Sequence, residues 1–362
     1  MKKISIYVRN SQITPSSYYR IIQYVSDLSK YYDISIKEGV DSAFYSKILS
    51  NKKLKKKILL PFFYFILQMN LFKNLMKDIF SYKPNIIFIS KTFSPKYTLL
   101  LNKFLILILT KRSQIIWDFD DDIINSKEIS YFQKEILLRR SSKIIVTHNL
   151  LKNTVPKNFQ NKVVKLPTTD GSLIFKDTDN VKNIRLGIYN EKINIVWVGT
   201  HYNLSNLNIL APSIDKLARN NQSKKINLIV ICNKKYNYNF KYANLINKRW
   251  KREEVKKILL KAHIGVMPLE ENEYNSKKGG FKIIQYLSSG IPIIASNVGI
   301  NKDIVGDDSG YVVNDDWESP LQKLAFDKAN WENKSESAII RYNLHYSYDN
   351  NLSKLLRLFE VS

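Results

Sequence analysis

The sequence has 362 residues, of which 44% are hydrophobic and 12% aromatic, and it contains a single cysteine, Cys232. This composition excludes a disordered chain, a disulfide scaffold and a cysteine-rich zinc module. The formal net charge of +25 at pH 7 favours anionic partners such as phosphorylated substrates, acidic lipid head groups or nucleic acid. The opening MKKISIYVRN carries no signal-peptide pattern, and the apolar runs are shorter than the ~20 residues of a membrane-spanning helix. We therefore expect a cytoplasmic protein.

Short β-branched segments alternate with amphipathic stretches along the chain. The predicted strands of the first half are residues 4–8, 85–90, 114–118, 143–147 and 162–166. Those of the second half are residues 193–199, 226–232, 263–269, 291–296 and 311–313. The predicted helices include residues 18–30, 62–80, 127–141, 204–219 and 252–261. This alternation predicts an α/β fold with parallel sheets covered by helices on both faces. The polar stretch 168–192 between the two series predicts an interdomain linker.

Glycine is scarce and unevenly placed. Only 11 of the 362 residues are glycine, well below the typical ~7%, and seven of them lie between Gly265 and Gly310. Glycine is kept where the backbone adopts a positive φ or approaches a ligand closely, so ligand-facing turns are expected mostly in the second half. The turn after the first predicted strand lacks G-x-G-x-x-G, which argues against a dinucleotide oxidoreductase.

A glycine pair and three lysines predict an anion site in the second half. Gly279 and Gly280 open a predicted helix, whose free N–H groups and partial positive charge favour a phosphate. Lys277, Lys278 and Lys282 surround this helix start and would neutralise a diphosphate. Taken alone, the same pattern also fits an ordinary helix–strand unit with solvated lysines.

The surrounding motifs give this segment a family context. They are HIGVMPL at 263–269, GGFKIIQYLSSGIPIIAS at 279–296 and NVGINKDIV at 297–305, with VWVGT at 196–200 upstream. Together they resemble the donor-binding half of family 4 glycosyltransferases (glycosyl transferases group 1) of bacterial surface-polysaccharide synthesis. The resemblance implies the GT-B fold, in which two Rossmann-like domains with parallel sheets face a central cleft. It implies an acceptor domain at residues 1–180, onto which a final helix at 346–362 packs back, and a donor domain at 185–345.

The resemblance also implies a donor site. The family's E-x7-E motif falls on Lys277 and Gln285, so both glutamates are replaced. Gln285 is expected to bond a ribose hydroxyl, while Glu271 or Glu273 is expected to hold the sugar. The residues implied at the diphosphate are Gly199, Thr200, Lys234, Lys277, Lys278, Gly279, Gly280, Phe281 and Lys282. Trp250 is implied at the nucleotide base.

Catalytic carboxylates are expected in the first half. Asp118, Asp120 and Asp121 lie at the C-terminal end of a predicted strand, where open α/β sheets bind ligands. A carboxylate there would stabilise an oxocarbenium-like sugar or take the acceptor's proton. The histidine that the family carries in this region is absent. Arg20, on the first predicted helix, either faces the same cleft or is solvated.

The activity implied is transfer of a sugar from a nucleotide-diphosphate sugar, a co-substrate rather than a bound cofactor, with retention of configuration and without a metal ion. The acceptor would be a glycan or lipid-linked glycan of the lipopolysaccharide or capsule type. Two alternatives stay open. Asp118-Phe119-Asp120 is a D-x-D motif like that which holds Mn²⁺ or Mg²⁺ in other glycosyltransferases. The missing glutamates also fit an inactive basic module that binds membrane or nucleic acid, although no nucleic-acid motif is present and no nucleic-acid partner is expected.

One basic segment predicts a membrane contact. Lysines occupy five of the six positions from Lys52 to Lys57, and the apolar, aromatic segment from Ile58 to Phe72 follows directly. Anionic lipids attract lysines while Phe and Leu enter the interface. We therefore expect a peripheral protein on the inner face of the plasma membrane.

Overall fold

The computed structural model describes residues 1–50, 53–175 and 177–360, and the side chains of residues 49–58 lie outside that description. The chain divides into two compact units. The first comprises Met1–Thr168 together with the chain from Asp349 onward, and the second comprises Thr169–Tyr348. Residues 169–180, which the sequence assigns to the first domain, thus belong to the second unit.

The described part of the first unit contains a parallel sheet of six strands. Its strands are β1 (Lys3–Val8), β2 (Asp33–Glu38), β3 (Ile86–Ser90), β4 (Gln114–Asp118), β5 (Ser141–Val146) and β6 (Val163–Lys165). Their order is β2-β1-β3-β4-β5-β6, with Ile4 opposite Ile86 and Ile86 opposite Gln114. The central strands are almost entirely buried, as expected where helices cover both faces of a parallel sheet.

The helices of the first unit connect these strands. They are α1 (Pro15–Arg20), α2 (Val25–Leu28), α3 (Ser42–Ser50), α4 (Lys53–Met76), α5 (Leu100–Arg112), α6 (Tyr131–Arg140) and α7 (Asn149–Lys152). A π-helical stretch, Lys77–Tyr82, follows α4. Helix α4 continues through Pro61, which the sequence suggests as a break in the apolar run. No helix among the described residues is long and apolar enough to span a bilayer.

The second unit is built in the same way, with six parallel strands in its described part. They are β7 (Lys192–Val198), β8 (Lys225–Cys232), β9 (Asn244–Arg249), β10 (Ile264–Met267), β11 (Ile293–Ser296) and β12 (Gly310–Val313), in the order β12-β11-β10-β7-β8-β9. Its helices are α8 (Thr178–Tyr189), α9 (Ala211–Asn220), α10 (Arg252–Leu259), α11 (Glu273–Ser276), α12 (Phe281–Ser288), α13 (Asn301–Val305), α14 (Glu318–Phe326) and α15 (Lys328–His345).

Two predictions are wrong in this unit. The predicted linker 168–192 contains α8, whose start is capped by Asp177 and whose Val181, Arg185 and Tyr189 are buried at helical spacing. The predicted single helix 204–219 is divided into a 3₁₀ helix, His201–Ile209, and α9. A proline in the first turn of α9 explains the division, because proline fits the start of a helix better than its interior.

The last helix, α16 (Tyr348–Glu360), lies almost entirely in the first unit. The Phe359 ring packs edge-on against the rings of Tyr32 and Phe88, with centroid distances of 5.7 and 6.3 Å. The Asn351 side chain donates to the Pro167 carbonyl at 2.8 Å, close to the point where the chain leaves the first unit. The helix thus returns the chain to the first unit and contributes to its packing.

Candidate functional site

The second sheet reverses its strand order between β7 and β10. In open α/β sheets such a reversal leaves a crevice at the carboxyl ends of the strands, where ligands bind. Gly199 and Thr200 follow the end of β7, and Leu269 lies beyond the end of β10. The carboxyl end of β7 is therefore the expected place for a ligand of this unit.

Gly199 allows Lys282 to approach this end of β7. A Cβ atom on Gly199 would lie 2.5 Å from the Trp197 ring and 2.9 Å from Cε of Lys282, closer than real Cβ atoms approach their neighbours. The Lys282 ammonium lies 5.5 Å from the centroid of the Trp197 ring. The structure thus places Gly199 and Lys282, 83 positions apart in the sequence, side by side.

Lys282 occupies the first turn of α12, which Gly280 caps. Gly280 has φ +61°, and a Cβ atom there would collide with the Ile304 side chain, so only glycine fits. The first N–H groups of a helix have no partner within it and attract anions. Gly279 and Phe281 lie next to this cap and are half-buried. The predicted combination of glycine turn, helix start and lysine is therefore present.

A chain of hydrogen bonds connects this helix start to the loop after β7. The Lys278 ammonium donates to Oδ1 of Asn203 at 2.8 Å and to Oδ1 of Asn275 at 2.5 Å. The Asn203 side chain in turn donates to Oγ1 of Thr200 at 3.2 Å. Thr200, Lys278 and Lys282 consequently converge on one region of the second unit, as a diphosphate site requires.

Electrostatics in this region favour an anion. Burial, reinforced by the nearby Lys278 ammonium, lowers the pKa of Lys282 to about 8. Burial and the Lys278 charge thus destabilise the protonated form of Lys282 when no ligand is bound. A bound phosphate would offset both effects. This is the arrangement expected of a cation that is used to bind a ligand.

Binding of a diphosphate at this site should therefore weaken at alkaline pH. Above pH 8 the unliganded Lys282 loses its proton, so Lys282 must take up a proton when a diphosphate binds. We expect the Kd for a diphosphate to change little from about pH 7 to pH 8 and to approach a tenfold rise per unit above it. Calorimetric titrations across this range measure the effect. In Lys282→Arg, whose guanidinium stays charged, the rise should disappear, and an equal rise in both proteins would contradict the assignment.

Lys277 and Glu273 are paired with each other in the structure. The Lys277 ammonium lies 2.8 Å from Oε1 of Glu273, one helical turn away, so the predicted phosphate ligand and the predicted sugar ligand bind each other. The Glu273 side chain is 86% exposed, and Glu271 is exposed as well. Opposite charges one helical turn apart attract each other, which is sufficient to explain this pairing in the protein without a ligand.

The remaining predicted residues of this unit lie at neighbouring strand ends. Lys234 is exposed just beyond β8. Trp250 directly follows β9, is 37% exposed, and donates its backbone N–H to the carbonyl of Cys232 at 3.1 Å. Gln285 is 4% exposed on α12, and its side chain is engaged inside the unit with Asp170.

In the first unit, Asp118 is buried in an ion pair with Arg20. Each side chain is 1% exposed, and Nε of Arg20 lies 3.1 Å from Oδ1 of Asp118. Arg20 also donates to the Leu166 carbonyl and to Oγ1 of Thr168. Burial raises the pKa of Asp118, and the Arg20 charge opposes that rise. The structure thus places Asp118, predicted as catalytic, in a buried ion pair, and shows that Arg20 is not solvated.

Asp120 and Asp121 instead share Lys91, which the sequence analysis missed. Its ammonium lies 2.9 Å from Oδ1 of Asp120 and 2.6 Å from Oδ2 of Asp121. Lys91 follows β3, with φ +66° and an N–H bonded to the Asp118 carbonyl. The rule that carboxyl ends of neighbouring parallel strands meet would have found it.

The two carboxyl groups differ in their ionisation. Burial opposes the charge of Asp120, yet the Lys91 charge lowers its pKa below the ordinary value. The nearby Asp120 charge, followed by burial, raises the pKa of Asp121. Asp120 is 22% exposed and Asp121 67%, so Asp120 is the more enclosed anion. No group of three or more His, Cys, Asp or Glu side chains in the described part of the chain is placed to hold a metal ion.

Comparison with known families finds one match, in the second unit. Residues 192–325 match the family described as glycosyl transferases group 1. No curated protein sequence is significantly similar to the chain.

Solved structures of similar fold cover nearly the whole chain. They include sucrose-phosphate synthase from Thermosynechococcus elongatus, with 14% identity, 99% of this chain and 98% of that chain covered, and a TM-score of 0.64. The Anabaena protein HepE in complex with UDP-glucose has 10% identity, 100% of both chains covered and a TM-score of 0.67. A glycosyltransferase from Rickettsia africae has 13% identity, 99% and 98% coverage and a TM-score of 0.64. At these identities the likeness shows the fold alone.

The family match covers the strands and helices that form the lysine site, from β7 through α12. Residues 192–325 thus match the glycosyl transferases group 1 model, and the chain has the GT-B fold.

Proposed function

We propose that this protein is a glycosyltransferase, which binds a nucleotide-diphosphate sugar in its second unit and transfers the sugar to a growing cell-surface glycan of the lipopolysaccharide or capsule type. The observation that carries the proposal is the convergence of Gly199, Lys278 and Lys282 at the start of α12. The structurally similar HepE protein was solved with UDP and with UDP-glucose, which supports a nucleotide sugar as donor.

The lysine site suits the departure of the nucleotide. When the bond between sugar and diphosphate breaks, negative charge grows on the diphosphate. Lys282, Lys278 and the N–H groups of the first turn of α12 would stabilise that charge from fixed positions. Because they supply the positive charge that a divalent cation supplies elsewhere, we propose that transfer needs no metal ion. We retain Lys234 and Trp250 as proposed phosphate and base contacts, since both lie at the same edge of the sheet.

Among the aspartates, Asp120 is the proposed catalytic carboxylate. It is ionised, partly enclosed and held by Lys91 at the carboxyl end of the first sheet. A carboxylate in this state stabilises positive charge on a sugar ring or accepts a proton from an acceptor hydroxyl. We propose transfer with retention of configuration, as the family resemblance implies. The D-x-D alternative loses support because Asp118 is occupied by Arg20.

Removing the Asp120 charge should slow transfer without affecting donor binding. We expect Asp120→Asn to lower kcat by about 10²–10³-fold, the usual contribution of a positioned acid or base, at unchanged nucleotide Kd. Product formation with a radiolabelled nucleotide sugar measures the rate. The matched control is Asp121→Asn, which removes the more exposed partner of Lys91 and should cost less than about tenfold. A wild-type rate in Asp120→Asn would reject this role.

For the acceptor side, we propose that the first unit contacts an anionic membrane. Lys52 and the side chains of Lys53–Lys57 and Ile58, which led to this prediction, lie outside the described residues. The described part offers an apolar surface where α4 packs beside α5, and the Gln68 side chain of α4 bonds the backbone of Tyr97 and Leu99 just before α5. Its exposed apolar side chains, termed the α4–α5 surface, are Phe62, Phe65, Tyr97, Leu99, Leu100, Leu101 and Phe104. Lys96 and Lys103 flank it.

Exposed apolar patches of this kind mark interaction sites, and flanking lysines favour an acidic lipid surface. We expect Leu100→Glu with Phe104→Glu to reduce binding to vesicles containing phosphatidylglycerol by about tenfold or more, in sedimentation measurements. The matched control is Ile340→Glu with Leu344→Glu, which places the same charges at exposed apolar positions of α15. Equal binding by both double variants and the unaltered protein would reject the α4–α5 surface.

A further inference from the structure

Gln285 forms a buried hydrogen bond to which the proposed donor site, as described so far, gives no role. Its Nε2 donates to Oδ2 of Asp170 at 3.0 Å, and the two residues are 4% and 2% exposed. Asp170 is itself fixed, because its Oδ1 accepts from the backbone N–H of Ser172 at 3.0 Å and from the Ser172 hydroxyl at 2.6 Å. Gln285 and Asp170 are 115 positions apart, so the bond is made only in the folded second unit.

This bond determines which way the amide of Gln285 faces. The oxygen and nitrogen of a glutamine side chain are similar in size, so an unconstrained amide can adopt either orientation. In the structure the NH₂ group of Gln285 faces Asp170, because its Nε2 donates to Oδ2 of that carboxyl group. The Oε1 atom then points away from Asp170 as an acceptor with a fixed direction.

The position of Gln285 relates this acceptor to the proposed donor site. Gln285 lies three residues after Lys282 on α12, so the two side chains lie on neighbouring parts of one helix face. A nucleotide whose diphosphate binds at the start of α12 carries ribose hydroxyls, which donate hydrogen bonds to an acceptor such as Oε1.

On the basis of the proposed function, we propose that Asp170 is a positioning residue. It orients Gln285 so that Oε1 of Gln285 accepts a hydrogen bond from a ribose hydroxyl of the donor. The same contact accounts for glutamine rather than glutamate at position 285. A glutamate there would place its carboxylate about one hydrogen-bond length from that of Asp170, in a buried setting where like charges repel strongly.

Ribose discrimination tests this role directly. UDP, GDP and ADP are each compared with their 2′,3′-dideoxy forms by calorimetry. For the nucleotide that binds, the unaltered protein should prefer the ribose form by about five- to tenfold, the effect of one hydrogen bond. Asp170→Asn offers either an oxygen or an NH₂ group to Gln285, so the preference should fall below about twofold. A structural role alone would lower thermal stability and leave the preference unchanged, and that result would overturn the proposal.

A second pair of variants tests the contact without a ligand. Gln285→Glu should lower Tm, and the loss should shrink when the pH falls far enough to protonate a carboxylate of the pair. Gln285→Glu combined with Asp170→Asn restores a donor facing an acceptor and should recover most of the Tm. Equal Tm values for the single and double variants would reject the pairing. If no nucleotide binds the unaltered protein, the proposed function fails, whereas unchanged ribose discrimination in Asp170→Asn rejects the role of Asp170 alone.

Discussion

Replacing Lys282 by alanine is expected to lower sugar transfer by about 10²–10³-fold, the loss seen when one preorganised group is removed from a developing charge. The side chain lies against Gly199 and Trp197 at the start of α12, where burial has already lowered its pKa to about 8. A cation in such an enclosed place is little screened by salt, so its attraction for a diphosphate is strong. Nucleotide affinity should fall together with the rate, because the diphosphate is present before and after transfer.

Two variants separate this role from a general effect of charge. Lys302→Ala removes one positive charge from an exposed position on α13 in the same unit, and both affinity and rate should stay close to those of the unaltered protein. Lys282→Arg keeps the charge with a different shape and should retain part of the affinity. Steady-state kinetics with titrated nucleotide inhibition measures both quantities. Equal kinetics for Lys282→Ala and Lys302→Ala would contradict the assignment of the diphosphate site.

Replacing Arg20 by methionine is expected to destabilise the first unit by about 3–5 kcal/mol, because Asp118 would be left as a buried charge without its partner. The same replacement removes the bonds from Arg20 to the Leu166 carbonyl and to Thr168. Combining it with Asp118→Leu removes both charges and should recover much of the loss. Urea unfolding at constant pH measures the free energy of unfolding.

An exposed ion pair provides the matched comparison. Lys216 and Glu318 lie 2.7 Å apart with side chains 49% and 40% exposed, so Lys216→Met should cost about 0–1 kcal/mol. The sugar-transfer activity of the folded double variant, Arg20→Met with Asp118→Leu, then decides the role of Asp118. Activity within about tenfold of the unaltered protein would agree with Asp118 being structural, whereas a loss as large as that of Asp120→Asn would restore it to the catalytic residues.

The alternation of buried strands and amphipathic helices was sufficient to predict the α/β class and the central strands of both sheets. The missed strands, β2 and β9, are both at sheet edges. Their sequences, DISIKE and NLINKR, are rich in polar residues because one side of an edge strand meets solvent. Helix α8 was missed for a similar reason. Its sequence is mostly polar, so the single row of side chains that it buries is difficult to recognise.

The parts of the site that were predictable are those determined locally. Gly280, Lys282 and the helix they start form one continuous segment, and Gly199 follows a recognisable strand. Contacts between distant segments were not predictable in this way. Arg20 and Asp118 are 98 positions apart, and a polar residue near a strand end has many possible partners before the fold is known. The buried pair with Arg20 distinguishes Asp118 from Asp120, and only the folded structure reveals it.

The central claim is that the second unit binds a nucleoside diphosphate through lysines and without a metal ion. Calorimetric titration of the 362-residue protein with UDP, GDP, ADP and CMP, each in EDTA and each with Mn²⁺, tests it most directly. We predict that one diphosphate binds with about micromolar Kd in EDTA, which at millimolar ligand stabilises the fold by about 4 kcal/mol, and that Lys282→Ala abolishes this binding. Binding by none of the four nucleotides, or binding that requires Mn²⁺, would contradict the account.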